Sequence, residues 1–125
     1  MILLDTHAIY WFLSEDTKLP EHTRQLIESD RNVFVSILSF WEMSIKSSIG
    51  KMELPASVTA MIQECKRMGF TLLPIEPAHL ERLKFLPKIH GDPFDRLLIC
   101  QAQEESLTLV TRDENIPKYD VRTFW

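Results

Sequence analysis

Four apolar runs, Met1–Leu4, Val33–Val35, Phe70–Leu73 and Leu107–Val110, are each too short for a helix, and helical patterns lie between them. This alternation narrows the fold more than any other feature. Short strands joined through helices build a parallel sheet with helices on both faces. The helical stretches are Ala8–Leu13, Pro20 to about Ser29, a long one ending at Ile49-Gly50, Pro55 to about Met68 before Gly69, Pro77 to Pro87, and Asp92-Pro93 to about Glu105. Tyr119–Trp125 is expected to add a last short strand. With 125 residues the chain reads as one domain, 1–125, in which 51–68 is a helical excursion suited to a rim or partner-binding arm.

Composition narrows the class. Hydrophobic residues make up 45% and charged residues 26%, as in an ordinary globular protein. No apolar run approaches membrane-spanning length, and Met-Ile-Leu-Leu-Asp meets an acid where a signal peptide would continue apolar. A cytoplasmic protein with two reduced, buried thiols, Cys65 and Cys100, is expected. The net charge of −4 argues against a protein that coats DNA with a basic face. It is compatible with a nuclease, whose acidic cluster adds negative charge that bound cations offset.

Four carboxylates stand at comparable places. Asp5 and Asp113 follow strands directly, Asp95 opens a helix, and Glu42 lies within a helix that follows a strand. The carboxyl ends of parallel strands are where ligands collect. Each acid also has a structural reading. Asp5 suits an N-cap and Asp113 a turn. Glu42 fits a capping box in Ser39-Phe-Trp-Glu and an ion pair with Lys46 four residues on. Helical phase weighs against capping alone. With about 3.6 residues per turn, Ile37, Leu38, Trp41, Ile45 and Ile49 form a stripe expected to face the core, with Glu42 at its edge. The same phase centres Asp95 on the face of Leu98, Ile99 and Ala102, an expensive place for an unpartnered acid. Asp92 is read as that helix's cap, or as a peripheral ligand.

Two carboxylates about 4 Å apart repel by about 4 kcal/mol at an effective dielectric near 20. A group of four calls for raised pKa values or for cations. The donor set is all oxygen, which suits Mg2+ or Mn2+, one ion or two. The histidines His7, His22, His79 and His90 show no zinc-type spacing; His7 and His90 fall near the acids but read as loop residues. Thr6 is placed to hydrogen-bond a ligating carboxylate from behind.

Leu-Leu-Asp-Thr-His-Ala, Val-Ser-Ile-Leu-Ser-Phe-Trp-Glu-Met-Ser-Ile-Lys, Asp-Pro-Phe-Asp-Arg-Leu-Leu-Ile and Leu-Val-Thr-Arg-Asp occur in that order along essentially the whole chain. Together they resemble a PIN (PilT N-terminus) domain, and within it the VapC-like toxins of bacterial type II toxin–antitoxin pairs. The resemblance implies a three-layer α/β/α fold with a short-stranded parallel sheet, and Mg2+- or Mn2+-dependent ribonuclease activity. Residue by residue, it carries the family's acidic positions onto Asp5, Glu42, Asp95 and Asp113. It also implies a homodimer neutralised by a small antitoxin whose tail enters the active site. On this reading a metal-activated water hydrolyses an RNA phosphodiester, with Asp5, Glu42 and Asp95 holding the main cation. Asp113 completes the site or recruits a second ion. Arg96 and Arg112 flank two of the ligands and are candidates to hold phosphates, as surface ion pairs are the alternative for either; Lys46 and Lys51 are weaker candidates.

Two rivals differ in class. A receiver-type phosphotransfer protein would have an acidic pair after the first strand and an aspartate after Val33–Val35, where this chain has Asp5 alone and Ser36. A phosphatase with an Asp-x-Asp nucleophile meets His7 at the second acidic position. A PIN-fold module that grips RNA or protein without cutting would have no need of four intact acids.

Overall fold

The computed structural model describes residues 1–125 and is built on one five-stranded sheet, all parallel, in the order β3-β2-β1-β4-β5. The strands are β1 (Ile2–Leu4), β2 (Val33–Ser36), β3 (Thr71–Leu73), β4 (Thr108–Val110) and β5 (Thr123–Phe124). The helices are α1 (Thr6–Leu13), α2 (Glu21–Ser29), α3 (Ile37–Ser48), α4 (Val58–Arg67), α5 (Pro77–Phe85) and α6 (Pro93–Glu105), with a 3₁₀ turn at Ile116–Lys118. No helix is long and apolar enough to cross a membrane.

Period-two alternation divides the strands between two cores. Ile2, Leu4, Val33, Val35 and Val110 pack against α1, α2 and α4 through Ile9, Phe12, Ile27, Met61 and Cys65. Leu3 and Leu109 face the other way, onto Leu97, Leu98, Ile99 and Ala102 of α6. The result is three layers, α/β/α. β1 is buried along its whole length, which explains an opening run with no polar residue before Asp5. Both cysteines are free and buried.

Side-chain caps start most of the helices: Asp5 accepts from the Ala8 N–H, Ser36 from Leu38, Ser57 from Ala60, and Asp92 from Phe94 and Asp95. Gly50 (φ 73°) and Gly69 (φ 86°) take the left-handed conformation just beyond α3 and α4, as helix-ending glycines do. Two boundaries differ from the sequence expectation. Pro55 lies in a bend and α4 begins three residues later, at Val58, because Ser57 supplies the hydroxyl cap. Ser36, not Ser39, caps α3, so Glu42 lies too far along the helix for a capping box.

The face of α3 is also corrected. Ile37, Trp41, Ile45 and Ile49 are exposed, Trp41 by 56% and Ile49 by 59%, while Leu38, Ser39, Phe40, Glu42 and Met43 are buried. The helix turns a partly polar face inward and its apolar stripe outward. Within 51–68, Met61 and Cys65 enter the first core, and Thr59, Ala60, Gln63, Lys66 and Arg67 face out.

Candidate active site

The sheet order reverses at β1. β2 and β3 lie to one side of it and β4 and β5 to the other. After β1 the chain turns onto the α1 face, and after β4 it turns toward Ile116 on the opposite face. A crevice opens between the two departures, as at the switch points of other parallel sheets. It is a cavity of about 240 Å³ lined by Asp5, Glu42, Asp92, Asp95 and Asp113 together with Thr6, His7, Trp11, Lys46 and Arg112.

Asp5 is 6% exposed, with Oδ1 accepting the Ala8 N–H at 2.8 Å. Burial pushes its carboxyl up to about 7; the Thr111 hydroxyl and the Ala8 amide oppose this, while Asp95 and Glu42 add to it. Glu42 is 5% exposed; its Oε1 accepts from Thr6 Oγ1 at 2.6 Å and its Oε2 meets Lys46 Nζ at 2.9 Å. Thr6 Oγ1 also lies 3.2 Å from Ser39 Oγ. Since the Thr6 proton goes to the carboxylate, Ser39 is the donor there. The ion pair with Lys46 is present, but on the wall of the crevice.

Asp95 stands at the first turn of α6, one turn before the fully buried Leu98 and Ile99. Burial raises its carboxyl to about 6, opposed by a hydrogen bond from His90 and reinforced by Asp92, Asp113 and Glu42. Asp92 accepts the amides of Phe94 and Asp95 at 2.9 and 3.0 Å. Asp113 Oδ1 accepts from the amides of Asn115 and Ile116, which leaves Oδ2 to the cavity.

The basic residues separate. Arg112 lines the cavity with its guanidinium 4.6 Å from the centroid of the Trp11 ring, and Trp11 in turn packs edge-on against Trp125. Arg96 does not line it. Its guanidinium donates to the carbonyls of Pro87 (2.7 Å) and Leu86 (3.2 Å) and to the Tyr119 hydroxyl (3.1 Å), tying α6 to the preceding loop. Arg96, expected from the sequence to hold a phosphate, is thus turned away from the cavity, as the residue after Asp95 in a helix points away from it. Lys51 also lies off the cavity.

His90, read from the sequence as a loop residue, places Nε2 3.2 Å from Asp95 Oδ2, and ligand atoms of His90, Asp95 and Asp113 lie within 4.8 Å of one another. The sequence also gives no sign of Thr111 beside Asp5, Trp11 beneath Arg112 or Tyr119 against His90. His90 precedes Asp95 by five residues across a Gly-Asp-Pro turn, a signal too local to show that the ring folds back. Tyr119 lies 29 residues from His90, and no sequence pattern links them.

The sequence profile of the PIN domain family matches residues 2–122. Ribonuclease VapC22 of Mycobacterium tuberculosis (strain ATCC 25618 / H37Rv) is 29% identical over 116 residues, covering 92% of this chain and 88% of that protein. Among solved structures, VapBC2 from Rickettsia felis bound to a DNA fragment from their promoter superposes with a TM-score of 0.74 at 13% identity, over 99% of this chain and 98% of that one. FitAcB from Neisseria gonorrhoeae gives 0.69 at 19% identity, over 100% and 97%. The profile match spans both core layers and every wall of the crevice, and on that ground this chain belongs to the PIN domain family.

Proposed function

We propose that this chain is a metal-dependent endoribonuclease that acts as the toxin of a type II toxin–antitoxin pair. The observation that carries this reading is the charge of the crevice: five carboxylates face two cations, Lys46 and Arg112. Burial raises Asp5 and Asp95, and neither is paired with a lysine or arginine; Asp95 meets only the His90 imidazole, at 3.2 Å. A divalent ion satisfies all three conditions, namely oxygen donors, excess negative charge and desolvated carboxylates. The residues present therefore fit Mg2+ or Mn2+, one ion or two. The name of the mycobacterial relative, a ribonuclease, supports the substrate class. A structural neighbour described as a toxin-antitoxin complex from Klebsiella pneumoniae supports a small antitoxin as partner, and a homodimer is the working form that the family resemblance implies. The whole chain would then act as a single PIN unit.

In this reading Asp5, Glu42 and Asp95 hold the main cation and Asp113 completes the site or recruits a second. When bound, the ion lowers the pKa of a water and stabilises the charge that develops on the phosphate. The chain supplies the rest. Thr6 fixes the Glu42 carboxylate, and Asp92 holds the first turn of α6 so that Asp95 projects into the cavity. Arg112, braced on Trp11, and Lys46, drawn in by Glu42, receive the phosphates that flank the scissile bond.

The test is incubation of total cellular RNA with the protein in Mg2+, in Mn2+ and in EDTA, beside the Asp95→Asn variant, with cleavage sites mapped by end sequencing. Cleavage is expected with either ion and absent in EDTA and in the variant. Undiminished cleavage in Asp95→Asn, or no cleavage under any condition, overturns the reading.

A further inference from the structure

Three groups converge on the hydroxyl of Tyr119. The backbone N–H of His90 reaches it at 3.1 Å, Arg96 Nη1 at 3.1 Å, and His90 Nδ1 lies 2.8 Å away. The first two are donors that cannot accept, and between them they occupy both lone pairs of the phenol oxygen. The phenol's own proton then has one neighbour left, His90 Nδ1. That nitrogen must present a lone pair, so the neutral ring carries its proton on Nε2. Nε2 lies 3.2 Å from Asp95 Oδ2 and donates to it. The junction is sheltered, with Tyr119 only 5% and the His90 side chain 13% exposed.

We infer that His90 is a positioning residue for Asp95: its Nε2–H fixes the carboxylate, and Tyr119, held by Arg96, enforces the tautomer that makes this possible. The inference rests on the reading of Asp95 as a cation ligand. It also decides between two roles for His90. The proximity of His90, Asp95 and Asp113 would by itself suit a histidine that ligates a metal directly. Ligation through Nε2 needs a lone pair there, which moves the proton to Nδ1. The Tyr119 oxygen would then face three donors with two lone pairs, and its own proton would have no acceptor at the junction. A neutral donor orients Asp95 without bringing a positive charge that competes with the cation. Oδ1 and the second lone pair of Oδ2 stay free for metal. This reverses the usual arrangement, in which a carboxylate orients a ligating histidine.

The experiment has two arms. In 15N-labelled, metal-free wild type at neutral pH, imaging the imidazole nitrogens by NMR should show His90 with Nε2 protonated and Nδ1 unprotonated. In the second arm Mn2+ is titrated, with EPR detection, into wild type and the His90→Ala, His90→Gln, Tyr119→Phe and Asp95→Asn variants. His90→Ala should weaken Mn2+ binding by about tenfold, the lower end for losing a group that orients a ligand. His90→Gln, which keeps an N–H donor at that reach, should recover most of the loss, and Tyr119→Phe should weaken binding in the same direction as His90→Ala. Bound Mn2+ should show no directly coordinated nitrogen. A protonated Nδ1, a nitrogen coupling that disappears in His90→Ala, or unchanged affinity in that variant overturns the inference. Wild-type affinity in Asp95→Asn would instead overturn the ligand reading beneath it. The first arm uses wild type alone, so it decides the tautomer even if a variant fails to fold.

Discussion

Asp5 serves two purposes with one carboxylate. Oδ1 caps α1 through the Ala8 amide, and the remaining oxygen faces a crevice already rich in negative charge. Asparagine keeps the capping geometry and removes the charge. Asp5→Asn should therefore melt higher than metal-free wild type, as followed by calorimetry, yet lose RNA cleavage by on the order of a hundredfold or more, the scale of removing one electrostatic group from a transition state. Asp5→Ala should be less stable than Asp5→Asn by about 1 kcal/mol, the worth of an N-cap. The two arginines give a paired contrast. Arg96→Ala should destabilise the fold by about 2–3 kcal/mol, since it strips charged hydrogen bonds from the Leu86 and Pro87 carbonyls. Arg112→Ala should leave denaturant stability nearly unchanged but reduce the salt dependence of RNA binding by about one unit of slope. From the sequence these two looked alike, each beside an aspartate. Neighbours in sequence do not share a direction in a helix, and only the fold reveals that one arginine turns inward to the loop.

At the scale of elements, α3 was the least legible. Its apolar stripe was read as the core face, yet Ile37, Trp41, Ile45 and Ile49 are exposed, while Ser39 and Glu42 are buried. Periodicity reports that a helix has two faces. It does not report which one meets the chain's own sheet when the inward face carries site residues. In urea denaturation at a dilution that keeps chains apart, Ile49→Ser, at 59% exposure, should shift stability by no more than about 0.5 kcal/mol. Phe40→Ala, at 1% exposure, should cost about 3–5 kcal/mol. By contrast, α6 could be read nearly to the residue. Asp92, Pro93 and Asp95 announce its start, and Leu98, Ile99 and Ala102 its buried face. There, capping chemistry and apolar phase agree, and no site residue lies in the middle of the helix to disturb the pattern.

For the whole molecule, alternation of short apolar runs and helices conveyed the layers, but not the order β3-β2-β1-β4-β5 that sets Asp5 and Asp113 across one crevice. Strand order depends on long-range pairing, which leaves no trace in local periodicity. The assembled site makes stability depend on pH in an unusual sense. Asp5 and Asp95 hold their protons to about 7 and about 6 in the fold, against an ordinary 3.8. Between those values the unfolded chain binds fewer protons than the native one, so this pair's contribution is present below about pH 4 and is lost as pH rises through 6 and 7. Metal-free wild type should lose melting temperature across that window relative to an Asp5→Asn/Asp95→Asn double variant. Added Mn2+ should restore it at pH 7.5 and do far less at pH 5, where protons compete for the same oxygens. The hydrogen bonds of the acids carry one last consequence, for loss of activity by mutation. Asp5, Asp92 and Asp113 hold backbone amides, whereas Glu42 and Asp95 meet side chains alone. Under the proposed function, a substitution that cannot accept a hydrogen bond silences the site at least cost to the fold at Glu42 or Asp95, whereas at Asp5 only asparagine, which keeps the cap, does the same.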